Sequence, residues 1–393
     1  MEFQIQYTNE QEEFRKEVRA WLEANLTKPP ELPISTEEIT DEYRAWAKET
    51  RSRVGHKGWL YPTLPEVYGG GGLTLDHELI VREELRSYGD VQGSSVALAG
   101  LYVYGTEEQK QKLMKPLVQG DTTYGLLWTE PDCGVDLASV KTRATRDGDD
   151  YVINGVKCFI SAVDPDYCWL LAVTDPDAPR HANLGHFYMP NYLPGIKWQR
   201  MGLINRGTQH FVFFDNVRVP REYLVGGETQ GWQVAQSSLE LEHGAEGSLD
   251  PRGLEVGPLM DAWRGGKVHP LAQGDAAKEH LVDAYIRSNV SRLLNRRNWW
   301  MFRAKERQTY EGNQGHWYGR EVRIRMAEDL LALLGPHSLT EDKDWGLLEG
   351  RVESAQRNAS MATHGGGSYE IDKVIIARRI GMSRTHETAA PTH

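Results

Sequence analysis

The sequence predicts a multidomain α+β protein with a helical N-terminal domain, a central β domain and a C-terminal helical bundle. Apolar residues recur at helical spacing over about the first 120 residues, alternate with a period of two from Tyr124, and return to helical spacing after Gly231. Gly, Pro and Asp turns separate the short central strands, which is typical of an antiparallel sandwich or barrel. We therefore expect domains at residues 1–122, 123–228 and 229–393.

Start and stop signals mark the N-terminal helices. Thr8 with Gln11 forms a predicted capping box, and Thr106 with Gln109 forms a second one. Residues 27–33 contain three prolines, which end the first predicted helix.

The central region contains eight predicted strands, and Asn154-Gly155 is the strongest hairpin-turn signal between two of them. The predicted strands are Tyr124–Thr129, Ser139–Arg146, Tyr151–Ile153, Val156–Ser161, Tyr167–Val173, His186–Met189, Ile196–Met201 and Gln209–Phe214. Beyond them, residues 247–274 are rich in loop-forming residues. The predicted C-terminal helices are Trp232–Glu246, Ala276–Glu311, Trp317–Leu334, Leu347–Thr363 and Ile371–Arg379.

Composition excludes several classes of function. The 393 residues contain 45 Lys and Arg against 56 Asp and Glu, and a net charge of −11 argues against a nucleic-acid binder. The three cysteines have no metal-site or disulfide spacing, so we expect no metal and a reducing compartment. The longest apolar run, Tyr167–Val173, is too short to cross a bilayer. No secretion signal precedes Phe14, and we expect a cytoplasmic protein without a membrane partner.

Two short motifs carry the functional information. They are T-E-P-D-C-G-V-D at residues 129–136 and N-G-V-K-C-F-I-S at residues 154–161. They place Thr129 and Ser161 at strand ends beside exposed main-chain N–H groups, an arrangement that suits a planar heteroaromatic ligand with hydrogen-bonding edges. Spacing alone leaves two ordinary β-turns as an alternative.

The order and spacing of the two motifs resemble the flavin-binding middle domain of the acyl-CoA dehydrogenases. The resemblance implies FAD as the cofactor, with Thr129 at the pyrimidine edge and Ser161 facing N5. Phe159 stands where the family usually has a Trp packed on the flavin ring, and Val135 replaces a small hydroxyl residue. The implied cofactor-binding residues are Trp128, Thr129, Gly134, Phe159, Ser161, Arg264 and Ser368. The implied substrate-binding residues are Val135, Leu239 and Gly366.

The same resemblance implies a catalytic carboxylate. Many family members have it in a glycine-containing loop before the last helix, but here Gly366 occupies that position. The other family position, on the first helix of the C-terminal domain, matches Glu242. A carboxylate in a dry apolar pocket has a raised pKa, which suits a general base. A solvated surface charge is the alternative for Glu242, and Glu246 and Glu370 are the alternative bases.

The C-terminal flavin contacts depart from those of simple homotetrameric relatives. Of their R-x-x-F-G signature only the Arg is present, as Arg264, because Lys267-Val268 replaces Phe-Gly. Ala332 stands at the position of a Gln that, in those relatives, reaches the adenine side of the cofactor. These departures resemble bacterial two-subunit enzymes of steroid and alicyclic acyl-CoA breakdown. An α2β2 assembly is therefore expected, with a homo-oligomer as the alternative.

The resemblance implies FAD-dependent α,β-dehydrogenation of an acyl-CoA thioester with a bulky, branched or cyclic acyl group. Glu242 would remove the α-proton, and an electron-transferring flavoprotein would reoxidise the flavin. Two alternatives stay open on the same fold. One is a non-catalytic partner subunit of a heteromeric acyl-CoA dehydrogenase, and the other is a flavin monooxygenase.

Overall fold

The chain divides into two compact units, residues 5–239 and the residues from 240 onward. The first unit holds the N-terminal helices and the whole sheet, and the described part of the second is helical. The computed structural model describes residues 6–30, 40–89, 91, 95–204, 208–240, 256–266, 274–342, 344–345, 351–361, 365 and 368–383. Within these ranges, every helix is too short or too polar to cross a membrane.

Two helices of the first unit begin at their predicted capping boxes. Both capping boxes are confirmed, because the hydroxyls of Thr8 and Thr106 accept from the main-chain N–H three residues later. In turn, the side-chain oxygens of Gln11 and Gln109 accept from the main-chain N–H groups of Thr8 and Thr106. The helices are α1 (Asn9–Asn25), α2 (Asp41–His56), α3 (Leu75–Leu85), α4 (Val96–Tyr104), α5 (Glu107–Gln109), α6 (Lys115–Val118) and α7 (Gly231–Glu240).

One open sheet forms the centre of the first unit, and the predicted α+β architecture is confirmed. Its strands are β1 (Tyr124–Leu127), β2 (Arg143–Asp147), β3 (Asp150–Ile160), β4 (Tyr167–Val173), β5 (Leu184–Pro190), β6 (Ile196–Met201), β7 (Gln209–Pro220) and β8 (Leu224–Val225). The strand order is β6-β7-β3-β2-β4-β5-β8, with β1 beside β4. The β1–β4 and β2–β4 pairings are parallel. In each case at least one other strand lies between the paired strands in sequence, which supplies the long connection that a parallel pairing requires.

The predicted hairpin turn at Asn154-Gly155 is wrong. Both residues lie inside β3, where the register against β7 shifts between Ile153 and Gly155. A Cβ on Gly155 would meet Oγ1 of Thr142 at 2.5 Å, so glycine is required there for close packing. Asn154 closes the bulge by accepting from the main-chain N–H of Asn216 at 2.8 Å. The two predicted strands around this dipeptide are therefore one strand.

β4 is buried on both faces, which explains its uninterrupted apolar sequence. Trp169 and Leu171 belong to the core shared with the N-terminal helices. Cys168 and Leu170, which point the other way, belong to the core on the opposite face of the sheet. Each face of β4 thus packs against an apolar core within the same unit.

The helices of the second unit differ from their predicted bounds: two of them begin earlier than predicted, at Glu311 and Tyr369, and two further differences are larger. Gly257–Arg264 is helical although the surrounding segment is rich in glycine, and Pro258 lies in its first turn. The long predicted helix from Ala276 ends at Arg303, and Lys305 has a positive φ of 55° in the break. The helices are α8 (Gly257–Arg264), α9 (Asp275–Arg303), α10 (Glu311–Leu334), α11 (Arg351–Met361) and α12 (Tyr369–Arg379).

Candidate functional site

The two sequence motifs meet at the ends of β1 and β3. The N–H of Cys158 donates to the carbonyl of Thr129 at 2.9 Å. Thr129 is half-buried, and its own N–H has no acceptor in the described part of the chain. Ser161 follows the end of β3 with an exposed side chain. These neighbouring segments therefore offer a main-chain donor and a hydroxyl to a ligand.

Phe159 has a strained backbone and an exposed ring. Its φ is +60°, a region that bulky residues rarely adopt, and it lies where the β3–β7 register shifts between Lys157 and Ile160. Its side chain is 55% exposed. A large aromatic ring held in solvent by a strained main chain is typical of a ligand contact.

The loop after β1 is shaped by Gly134 and Asp136. Gly134 has a φ of +56°, and no atom lies within 4 Å of where its Cβ would be. Val135 is 64% exposed beside it. The carboxylate of Asp136 is paired with the guanidinium of Arg180, and its carbonyl accepts from the hydroxyl of Ser139 at 2.7 Å. The contacts of Asp136 thus hold the loop in place, and the loop exposes Gly134 and the apolar side chain of Val135.

A buried ion pair lies beneath these residues. The ammonium of Lys157 donates to Oε1 of Glu130 at 2.7 Å and to the carbonyl of Trp128 at 3.0 Å. Glu130 also accepts from the N–H groups of Lys141 at 2.6 Å and Thr142 at 3.0 Å. Burial raises the pKa of Glu130, but Lys157 and these donors outweigh it and hold that pKa below its usual value.

The indole of Trp128 points into the core. Its Nε1 donates to Nε2 of His186 at 2.8 Å, and the ring of Trp169 lies 3.9 Å from the imidazole, centroid to centroid. Complete burial, with Lys157 nearby, holds the pKa of His186 well below its usual value, so the imidazole is neutral. Any ligand contact from Trp128 must therefore come from its main chain.

Helix α7 is fixed against the sheet and α4 by two glycines. A Cβ on Gly231 would meet the main chain of Leu184 at 2.6 Å. A Cβ on Gly100 would meet the ring of Trp169 at 2.5 Å and Val234 at 3.0 Å. Leu239, near the end of α7, is half-buried against the same core.

The predicted base and its neighbours lie outside the described residues. Glu242 and Glu246 follow α7, whose last described residue is Glu240, and Gly366 lies in an interval that is likewise not described. The alternative base Glu370 is exposed. A main-chain N–H and the hydroxyl of Ser368 hold the pKa of Glu370 below its usual value, which weakens it as a base.

Two further predicted cofactor residues lie in the second unit. Arg264 ends α8 with an exposed side chain, 3.8 Å from Oδ1 of Asp261. Ser368 is buried and immediately precedes α12. Arg264 is thus an accessible cation, whereas Ser368 is part of a packed helix start.

Arg320 of α10 contacts Gly365 and Asp372. Its guanidinium donates to the carbonyl of Gly365 and lies 4.0 Å from the buried carboxylate of Asp372. That carboxylate also accepts from Nδ2 of Asn313 at 2.9 Å and lies 2.9 Å from Nδ1 of His316. Gly365 and the start of α12 are therefore joined to α10 through this buried polar cluster.

Comparison with known proteins matches three consecutive domain models along this chain. They are "Acyl-CoA dehydrogenase, N-terminal domain" at residues 8–121, "middle domain" at 125–217 and "C-terminal domain" at 260–381. The chain belongs to the acyl-CoA dehydrogenase family. The resemblance inferred from the two motifs is confirmed, and the chain is an oxidoreductase of this flavoprotein family.

The relatives of this acyl-CoA dehydrogenase include one that is named for steroids. The chain is 29% identical to "Acyl-CoA dehydrogenase FadE26" of Mycobacterium tuberculosis, over 97% of this chain and 99% of the relative. The solved "Tcur3481-Tcur3483 steroid ACAD" is 26% identical with a TM-score of 0.78, over 98% of this chain and 100% of that one. The "ChsE4-ChsE5 complex" from Mycobacterium tuberculosis is 27% identical with a TM-score of 0.78, over 97% and 100%.

The thiols and acidic groups of this dehydrogenase offer no other chemistry in the described ranges. No group of three or more His, Cys, Asp or Glu side chains there could hold a metal ion. Burial raises the pKa of Cys158 to about 11 and that of Cys168 to about 12. Both thiols are therefore protonated at neutral pH and are poor nucleophiles.

Sequence reasoning missed the buried polar residues behind the site. Glu130 and Lys157 belong to the two motifs, and their charge inside otherwise apolar strand ends was an available signal. The roles of His186 and Arg320 had no signal in the sequence, because their partners are distant along the chain.

Proposed function

We propose that this chain catalyses FAD-dependent α,β-dehydrogenation of an acyl-CoA thioester. The observation that carries the proposal is the meeting of Thr129, Phe159 and Ser161 at two hydrogen-bonded strand ends. Family membership supplies the reaction class. We further propose a division at residues 1–122, 123–228 and 229–393, with the base and the subunit contacts in the third domain.

The exposed groups fit a flavin. The available N–H of Thr129 and the hydroxyl of Ser161 suit hydrogen-bonding edges, and the exposed ring of Phe159 suits a planar face. Gly134 leaves room for close main-chain approach, and the accessible Arg264 suits a diphosphate. When bound, FAD would accept the β-hydride of the thioester. Trp128 contributes through its main chain, and Ser368 remains a proposed contact from the second unit.

Glu242 is the proposed base. Its role is to remove the α-proton, and the position follows from its match to the family's helix position. The glycine at residue 366 supports this choice, because the alternative loop position then has no carboxylate. We propose that Leu239, Val135 and Gly366 face the acyl group.

We propose a bulky, branched or cyclic acyl group. Support comes from two relatives of more than 25% identity, one of which is named a steroid ACAD. A glycine in place of a loop carboxylate also leaves more volume near the substrate. We propose an electron-transferring flavoprotein as the electron acceptor, as the family implies.

Flavin absorbance and its bleaching by substrate test this function. The protein, purified with any co-purifying homologous chain, is titrated anaerobically with CoA thioesters of straight-chain and steroid-derived acids. We expect bound FAD, bleaching by the cyclic thioester and formation of the enoyl product. Bleaching that persists in each of this chain's Glu242→Gln, Glu246→Gln and Glu370→Gln variants would indicate a non-catalytic partner subunit. Product formation that requires oxygen incorporation would indicate a monooxygenase.

A further inference from the structure

Lys157 is an unusual residue to find beneath a ligand site. Its side chain is fully buried, and its ammonium contacts the carboxylate of Glu130 and the carbonyl of Trp128. Burying two charges is expensive, and an apolar pair of similar size is often as stable. Stability alone therefore gives little reason for an ion pair at this place.

The carbonyl that Lys157 contacts belongs to the same peptide group as the available N–H of Thr129. All peptide bonds of the described chain are trans, so this carbonyl and this N–H point in opposite directions. The ammonium thus lies at one edge of the peptide group, and the N–H is directed away from the opposite edge. The carboxylate of Glu130, the next residue after Thr129, fixes the ammonium in this position.

A charged donor on a peptide carbonyl polarises the whole amide. Linked hydrogen bonds strengthen one another by about 10–30% per bond, and the effect is greatest where water is excluded. The N–H of Thr129 is consequently a stronger donor than an ordinary amide. A stronger donor favours whichever form of its acceptor carries more negative charge.

We propose that Lys157 is a positioning residue that polarises the Trp128–Thr129 peptide, so that the Thr129 N–H stabilises the reduced, anionic form of the bound flavin. This inference rests on the proposed function, because it needs a flavin at Thr129. Its consequence is a higher flavin midpoint potential than a neutral residue at position 157 would give. Glu130 acts with it by holding the ammonium in place.

The test compares FAD affinity and flavin midpoint potential in the wild type, Lys157→Met and the double variant Glu130→Gln/Lys157→Met. The double variant removes both buried charges and keeps the volume, so it remains folded if the single variant does not. In both variants, we expect the affinity for reduced FAD, relative to that for oxidised FAD, to be about three- to tenfold lower than in the wild type. Tenfold corresponds to about 30 mV for a two-electron couple.

A matched pair elsewhere in the same unit provides the control. Arg82 and Glu78 form an ion pair within α3, with Nε of Arg82 2.8 Å from Oε1 of Glu78. Glu78→Gln/Arg82→Met should change stability without changing the potential. If the Lys157 variants bound oxidised and reduced FAD more weakly by the same factor, the role of Lys157 would be structural and the proposal would be overturned. A wild type that binds no FAD would instead contradict the proposed function.

Discussion

The N–H of Cys158 lies 2.9 Å from the carbonyl of Thr129, and this main-chain bond joins the two motifs at the ends of their strands. On one side of it, Thr129 offers a main-chain donor. On the other side, Phe159 immediately follows Cys158 and exposes its ring. The bond therefore sets the relative position of an edge contact and a face contact for one planar ligand.

Phe159 allows the ring's role to be separated from the strain of its backbone. At a φ of +60°, Phe159→Gly should be about 1 kcal/mol more stable than Phe159→Ala, since only glycine adopts this conformation without strain. Both variants should weaken FAD binding by about 2–12-fold, because both lose the aromatic face. Denaturant unfolding and FAD titration measure the two effects. If Phe159→Ala bound FAD as tightly as the wild type while Phe159→Gly did not, a ring contact would be contradicted.

Gly100 should tolerate no side chain. In Gly100→Ala the new methyl would collide with Trp169 and Val234, both fully buried, and we expect a loss of about 1–3 kcal/mol in the free energy of unfolding. Gly202→Ala is the matched control, because no atom lies within 4 Å of its Cβ position. Urea unfolding compares them. Equal stability of the two variants would show that α4 can move away from the sheet at no cost.

His186 should make stability depend on pH below about 6.5. Its pKa is depressed in the folded state, so the unfolded chain binds the proton first as the pH falls. The free energy of unfolding should then fall by up to about 1.4 kcal/mol per pH unit from pH 6.5 towards the folded-state pKa. The contribution of His186 to stability is fully present above pH 6.5. Urea titrations between pH 7 and 5 measure the slope.

His186→Gln provides the comparison for that slope. Gln retains an acceptor for the indole of Trp128 but has no proton to gain. The variant should show a flatter stability profile than the wild type between pH 6.5 and 5. Parallel profiles for the wild type and His186→Gln would assign the acid sensitivity in this range to other groups.

Glu242→Gln should retain the fold and the flavin but lose turnover by about 10³-fold, since a general base contributes roughly 10²–10⁴-fold. Stopped-flow reduction of the flavin by an acyl-CoA measures the loss. Glu246→Gln and Glu370→Gln are the controls and should retain most of the activity. Inactivation by either control, with Glu242→Gln active, would assign the base to that residue.

Two chain types should be present in the natively purified enzyme. At Lys267-Val268 and at the exposed Ala332, this chain lacks the Phe-Gly and the Gln that the family resemblance associates with cofactor contacts in simple homotetrameric enzymes. A missing hydrogen bond to the charged diphosphate forfeits about 1.5–3 kcal/mol. We expect an α2β2 mass with fewer flavins than chains. Native mass spectrometry with flavin quantification decides it, and one chain type with one FAD per chain would contradict the proposal.

Local sequence determined much of the fold. The capping boxes at Thr8 and Thr106, the change of apolar period near Tyr124 and the apolar run of β4 all depend on residues close in sequence. The two motifs likewise place Thr129 and Ser161 at strand ends from short-range pattern alone. Short-range hydrogen bonds and side-chain alternation are sufficient for such features.

Tertiary contacts decided the rest, because their partners are far apart along the chain. Asn154-Gly155 has the local signal of a hairpin, yet Asn216 on β7 and the close approach of Thr142 keep it inside β3. His186 turns the indole of Trp128 into the core, and Glu130 directs Lys157 onto the Trp128 carbonyl. The sequence by itself thus determined which segments form the candidate site. Only long-range packing and charge pairing decided which atoms of those segments face a ligand.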